Sequence, residues 1–122
     1  QTQVIEIKEK VMTFTVEEKD KFKVMVQFDR DKGLLLQVKD DEGGITNQTE
    51  YTKKEIIHTS KGGDGTSKIV QKPDAVEIEC KSFTVKCEQS LIDAKKTVTN
   101  KAGSKVINDA PIDQSTKEAT IG

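Results

Sequence analysis

The chain has 122 residues and a mass of 13.5 kDa, the size of one ordinary domain or two small ones. Charged residues make up 34% of it, but 20 basic and 21 acidic groups leave a net charge of −1. No apolar run approaches the roughly 20 residues that cross a bilayer, and no basic stripe is present to bind nucleic-acid phosphates. The N-terminus lacks the basic and apolar regions of a signal peptide, as the N-terminus of a mature chain would too.

The composition favours β-structure but provides little material for a core. Hydrophobic residues amount to 33%, and aromatic residues to 4%, with no tryptophan. β-Branched side chains dominate, because Ile and Val together number 22 against four leucines, and 13 threonines accompany them. Such residues favour pleated, half-buried surfaces. We therefore predict an all-β protein whose core would be thin if one copy of the chain built it alone.

The first 40 residues predict strands joined by tight turns. Apolar positions at Ile5 and Ile7, and then at 12, 14 and 16, indicate one or two strands interrupted near residues 8–10. Residues 22–28 alternate strictly between apolar and polar, which is typical of a strand with one apolar face. The alternation resumes after the turn-forming run 29–33. A hairpin is therefore predicted there, with Gly33 taking positive φ.

The middle of the chain is more polar. Residues 45–57 have only a few apolar anchors, among them Tyr51, Ile56 and Ile57. The run 61–67 has the composition of a flexible loop, and residues 72–74 predict another turn. We place an organisational boundary between residues 60 and 75. An N-terminal β region over 1–70, barrel-like or a continuing β-helix, is predicted to precede a second domain over 71–122.

From Val76 onward the chain divides into short pieces that open on an apolar residue. Their first residues are spaced six to eight apart, at positions 76, 83, 91, 98, 106, 112 and 119. Short quasi-repeats are typical of solenoids and β-helices. A heptad coiled coil is disfavoured, because Val, Thr and Ile dominate and Pro111 interrupts the pattern.

A seven-residue repeat is too short for one chain to complete a solenoid coil, because it covers only about 24 Å when extended. Three chains wound about one axis would each contribute one short strand per face and would pair the edges that a monomer exposes. We therefore predict an intertwined, triple-stranded β-helix (β-prism) formed by a homotrimer. The residues expected to face its axis are Val76, Ile78, Cys80, Phe83, Val85, Cys87, Leu91, Val98, Val106 and Ile112.

The C-terminal pattern resembles the central spike of contractile injection machines. The residues that carry this resemblance are VEIECKSFTVKC at 76–87, LIDAKKTVTNKAGSKVINDA at 91–110 and the terminal STKEATIG at 115–122. The group includes the spike proteins of contractile phage tails and the VgrG proteins of type VI secretion. The similarity covers residues 70–122 best, and the chain is far shorter than a full VgrG. It also lacks the His-x-His pair of iron-holding spike tips, so the resemblance implies no tip metal.

What this resemblance implies is mechanical. A trimeric needle at the front of a contractile tube is pushed through a target membrane, with the C-terminal end as its narrow tip. The implied partners are two further copies of the chain, the tube or hub protein, and a PAAR-type cap protein at the tip. The implied setting is assembly in the bacterial cytoplasm or at a particle tip, followed by secretion or injection.

Catalytic and metal-binding interpretations find little support in the residues. His58, the single histidine, could form a three-histidine site on a threefold axis, but isolated histidines near loops are usually just exposed. Cys80 and Cys87 are expected to be free thiols, because an extended chain holds their Cα atoms too far apart for a disulfide. We expect both to be buried, since a free cysteine behaves as a small hydrophobic residue. The run 29–33 lacks the spaced oxygens of a calcium loop, and 62–68 lacks P-loop spacing. We predict no enzyme, no cofactor, no metal and no nucleic-acid partner.

Two alternatives to the spike stay open. One is a trimeric fibre or adhesin module that binds a surface receptor. The other is a monomeric β-sandwich or barrel that binds a small ligand.

Overall fold

The structure is a computed structural model, and it describes residues 1–113. Eight strands follow one another with short connections, and no helix occurs among the described residues. The strands are β1 (Thr2–Lys8), β2 (Val11–Glu18), β3 (Phe22–Asp29), β4 (Gly33–Asp40), β5 (Ile45–Tyr51), β6 (Ile56–Gly62), β7 (Gly65–Lys72) and β8 (Ala75–Glu79). The prediction of an all-β chain is confirmed. Within 1–113 there is no helix that could span a membrane.

All eight strands belong to one antiparallel sheet whose order is the order of the chain, β1 to β8. Each strand pairs only with its sequence neighbours, so the sheet is an open meander with β1 and β8 at its two edges. At standard strand spacing and rise, the sheet measures about 34 Å across the strands and about 24 Å along them. No second layer packs on the sheet within residues 1–84.

The β3–β4 hairpin has the form that the alternation predicted. Gly33 has φ +113°, and Asp29 Oδ1 accepts hydrogen bonds from the backbone N–H groups of Asp31 (2.9 Å) and Lys32 (3.1 Å). These two bonds lower the pKa of Asp29, because they stabilise its ionised carboxylate. The interruption near residues 8–10 is likewise a turn between two strands, β1 and β2.

The prediction of a flexible loop over residues 61–67 is wrong. Residues 61 and 62 end β6, Gly65 begins β7, and Gly62 pairs with Gly65 across a two-residue connection. Gly65 has φ +144°, a conformation that only glycine adopts readily. The glycine-rich composition therefore encodes a tight hairpin here. Composition alone does not distinguish such a hairpin from a loop, because both need glycine for positive φ.

The chain divides into two compact units, Gln1–Thr84 and Val85–Gly122. The first contains the whole sheet, and the predicted boundary at residue 70 falls inside β7. From Cys80 to Asp113 the chain has neither helix nor strand. The predicted narrow tip at 115–122, including the last repeat at Ala119, lies outside the described residues.

Candidate functional site

One face of the sheet is predominantly apolar, and we call it the apolar face. Residues paired across antiparallel strands share a face, so the register assigns each side chain to one side. Its charged strand residues are Glu18 and Asp40. They pair with Phe22 from the two neighbouring strands, at one end of the sheet's strands. The apolar members are Ile5, Ile7, Met12, Phe14, Val16, Phe22, Val24, Val26, Phe28, Leu34, Leu36, Val38, Ile45, Tyr51, Ile56, Ile69, Val76 and Ile78.

The opposite face, which we call the mixed face, alternates polar and charged side chains with a few apolar ones. Side-chain hydrogen bonds cross it between neighbouring strands, from Gln27 to Thr13 (3.2 Å) and from Gln37 to Gln48 (2.9 Å). Its charged members are Glu6, Lys8, Glu17, Lys23, Asp29, Lys39, Glu50, Lys61, Lys68, Lys72, Glu77 and Glu79. The two faces are therefore suited to different surroundings, the mixed face to water and the apolar face to burial.

No residue of the described chain is buried. On the apolar face Ile7 is 70% exposed and Phe28 is 50% exposed, even though Phe28 meets Phe14 edge-to-face at 6.2 Å between ring centroids. A monomer rarely exposes a contiguous apolar patch of more than a few hundred Å². This face covers about 800 Å² from the strand dimensions, so it has the size of a surface that another protein layer covers.

A polar cluster interrupts the apolar face on β5, β6 and β7. We call it the polar inset; it comprises Asn47, Thr49, His58, Ser60 and Ser67. His58 Nδ1 lies 2.9 Å from Thr49 Oγ1, and Ser60 Oγ donates a hydrogen bond to Asn47 Oδ1. These residues form one side of a shallow trough of about 410 Å³, and Val24, Val26, Leu36 and Val38 form the other.

The ten residues predicted to face a trimer axis fall into two groups. Val76 and Ile78 lie on β8 and belong to the apolar face, so the structure joins them to a larger surface that begins at β1. The remaining eight lie beyond β8, where Cys80 is half-buried and the other seven are exposed, Leu91 at 87%. Cys80 and Cys87 are both free thiols.

Sequence reasoning missed most of the apolar face. The alternation in 22–28 and 34–38 identified its centre, but residues 1–70 were not assigned to any assembly surface. The signal was present at Ile56 and Ile69, which the register places in line with the apolar positions of β3 and β4. Polar neighbours hide that signal in β5 to β7, because the polar inset occupies positions that are apolar elsewhere.

Within residues 1–113, no three His, Cys, Asp or Glu side chains of a single chain are grouped so that they could hold a metal ion. Comparison of the chain with protein-family models, curated proteins and solved structures found no match.

Proposed function

We propose that the chain is a structural, membrane-piercing spike at the tip of a contractile injection apparatus, acting mechanically as a homotrimer. The observation that carries this proposal is an eight-stranded sheet with one apolar face and no buried residue. A single sheet with an apolar face needs a second layer to bury it. Its area of about 800 Å² per chain matches what one partner contributes to a stable protein–protein interface.

The segment after β8 supports three copies over two. Between Cys80 and Asp113 it has no strand partner in its own chain, while its apolar residues recur every six to eight positions. Strand-like pieces of this length gain hydrogen bonds and cover from other copies when three chains wind about one axis. The same segment carries the resemblance to contractile spikes, which favours piercing over receptor binding.

The role needs stiffness and slow unfolding, and it needs no catalytic residue. In an intertwined trimer no chain can leave without breaking contacts with both others, so resistance to unfolding is kinetic. The partners in this proposal are two further copies, the tube or hub protein of the apparatus, a PAAR-type cap and, mechanically, the target membrane.

Sedimentation equilibrium of the purified chain at micromolar concentration tests the assembly. We expect a single species of three chains across the concentration range. A monomer or a dimer would overturn the proposal; a dimer would indicate two sheets packed by their apolar faces. If the trimer is found, chemical cross-linking to the tube or hub protein of the same organism supports the spike. Binding to a glycan receptor without such cross-links supports the fibre instead.

A further inference from the structure

The polar inset occupies a position that the proposed trimer would seal from water. The apolar face has four rows of side chains along its strands, and Thr49 and His58 lie directly opposite each other in one of the two central rows. The flanking residues of that row are Leu36 on β4 and Ile69 on β7. When three such faces meet, the central rows are the ones nearest the shared axis.

Burial there leaves several groups of the inset in need of a partner, namely Asn47 Nδ2, Ser67 Oγ and the second ring nitrogen of His58. Asn47 and Ser60 already bond each other, and His58 Nδ1 is held by Thr49 Oγ1 at 2.9 Å. The second ring nitrogen, Nε2, has no hydrogen bond within the described chain. A buried polar atom without a partner costs free energy, so an assembled core has to supply one.

We propose that three His58 Nε2 atoms bind one divalent transition-metal ion, such as zinc, on the threefold axis of the trimer. This inference rests on the proposed function, because a single chain supplies only one ligand. If three strands of about 24 Å form the sides of a triangle, the middle of each side lies about 7 Å from the centre. An extended imidazole spans most of that distance, and zinc–nitrogen bonds measure about 2.0–2.1 Å.

The contact between His58 Nδ1 and Thr49 Oγ1 resembles the hydrogen bond that orients a metal-binding histidine in other proteins. Such a ring donates its other N–H to a fixed acceptor, which selects the tautomer with a free lone pair. In the tautomer that the proposed site requires, Nδ1–H donates to Thr49 Oγ1 across the 2.9 Å contact, and Nε2 is left as the ligand. Three imidazoles leave the fourth tetrahedral position for water. The site is structural: it joins three copies at the polar inset of the apolar face.

The test measures zinc bound to a chain without a histidine tag, after chelation and reloading. Because Cys80 and Cys87 are free thiols that also bind zinc, both are replaced by alanine in every sample. We expect one zinc ion per three chains and none in the His58→Gln variant. Thr49→Val should weaken zinc binding by about 10- to 100-fold. Thr59→Val, on the mixed face of β6 next to His58, should leave the affinity unchanged.

The outcomes separate this inference from the proposed function. A trimer that binds no zinc, or that binds it equally well in the His58→Gln variant, overturns the metal site and leaves the spike standing. A ratio of one zinc ion per chain also overturns it. A monomer of the unmodified chain overturns both proposals, because the ligand set then does not exist.

Discussion

At the scale of single residues, the turns show the most direct relation between sequence and conformation. Gly33 has φ +113°, and a Cβ atom added there would overlap Tyr51 O, the backbone oxygen at the end of the neighbouring strand β5. Two separate constraints, backbone conformation and close approach, therefore require glycine at this position. Gly63, in the β6–β7 connection, has open space around it.

Gly33→Ala should lower the free energy of unfolding by more than about 1–3 kcal/mol, because the strained backbone alone costs that much and the overlap with Tyr51 O adds to it. Denaturant-induced unfolding at a fixed protein concentration measures the change. Gly63→Ala is the matched control, and we expect its unfolding midpoint to stay close to that of the unmodified chain. Equal effects of the two substitutions would show that neither the φ of Gly33 nor the contact with Tyr51 matters.

The lowered pKa of Asp29 predicts that the stability of the β3–β4 hairpin depends on pH. The backbone N–H groups of Asp31 and Lys32 stabilise its carboxylate, so its pKa is lowered from 3.8 in the folded chain. A lowered pKa contributes stability above the unfolded value, and that contribution is lost as the pH falls through the folded value. NMR titration should find the Asp29 carboxyl ionising below pH 3.8. The stability difference between the unmodified chain and Asp29→Ala should shrink as the medium is acidified through that range.

At the scale of elements, the decisive property is which face of a strand a residue occupies. Leu36 and Gln37 are neighbours on β4, but Leu36 belongs to the apolar face and Gln37 to the mixed face. In a single chain Leu36 is already 39% exposed, so a charge there costs little before assembly. In the proposed trimer the same charge is buried three times around one axis.

Leu36→Asp should therefore abolish the trimer, while Gln37→Asp should leave it intact. Sedimentation equilibrium of the two variants at equal concentration measures this difference, and circular dichroism reports whether β-structure is retained. Assembly of the Leu36→Asp variant into the same trimer as the unmodified chain would show that another surface joins the copies.

The strands themselves were predictable to different degrees. Strict alternation identified β3 and β4 and the hairpin between them, because a strand with one apolar face leaves a period of two in the sequence. The β6–β7 hairpin was mistaken for a loop, since its two central residues and its flanking glycines have the same composition as a loop. The polar inset weakened the pattern in β5 and β6 for a similar reason, because polar side chains there occupy the apolar side.

At the scale of the whole molecule, the segment after β8 allows a separate test of how three copies assemble. Val98 is 53% exposed in a single chain and lies in a part with no helix or strand. If it faces the axis of a three-chain winding, Val98→Asp places three like charges around that axis. In the extended strand that such a winding requires, the next residue, Thr99, points to the side opposite Val98.

We expect Val98→Asp to block assembly of a heat-stable trimer and Thr99→Asp to permit it. Electrophoresis of unheated and heated samples, followed by sedimentation equilibrium, measures the outcome. A heat-stable trimer of the Val98→Asp variant would mean that the axis-facing side of this segment has been assigned incorrectly.

The sequence by itself determined the all-β character, the central hairpin and the scarcity of core material, because composition and a period of two are local properties of the chain. Only the tertiary structure decided that eight strands form one open sheet and that their apolar sides combine into one unburied face. That outcome depends on register, since a shift of one residue would move a strand's apolar side chains to the opposite face. It also depends on which strands are neighbours, which joins Ile5 on the first strand to Ile78 on the last.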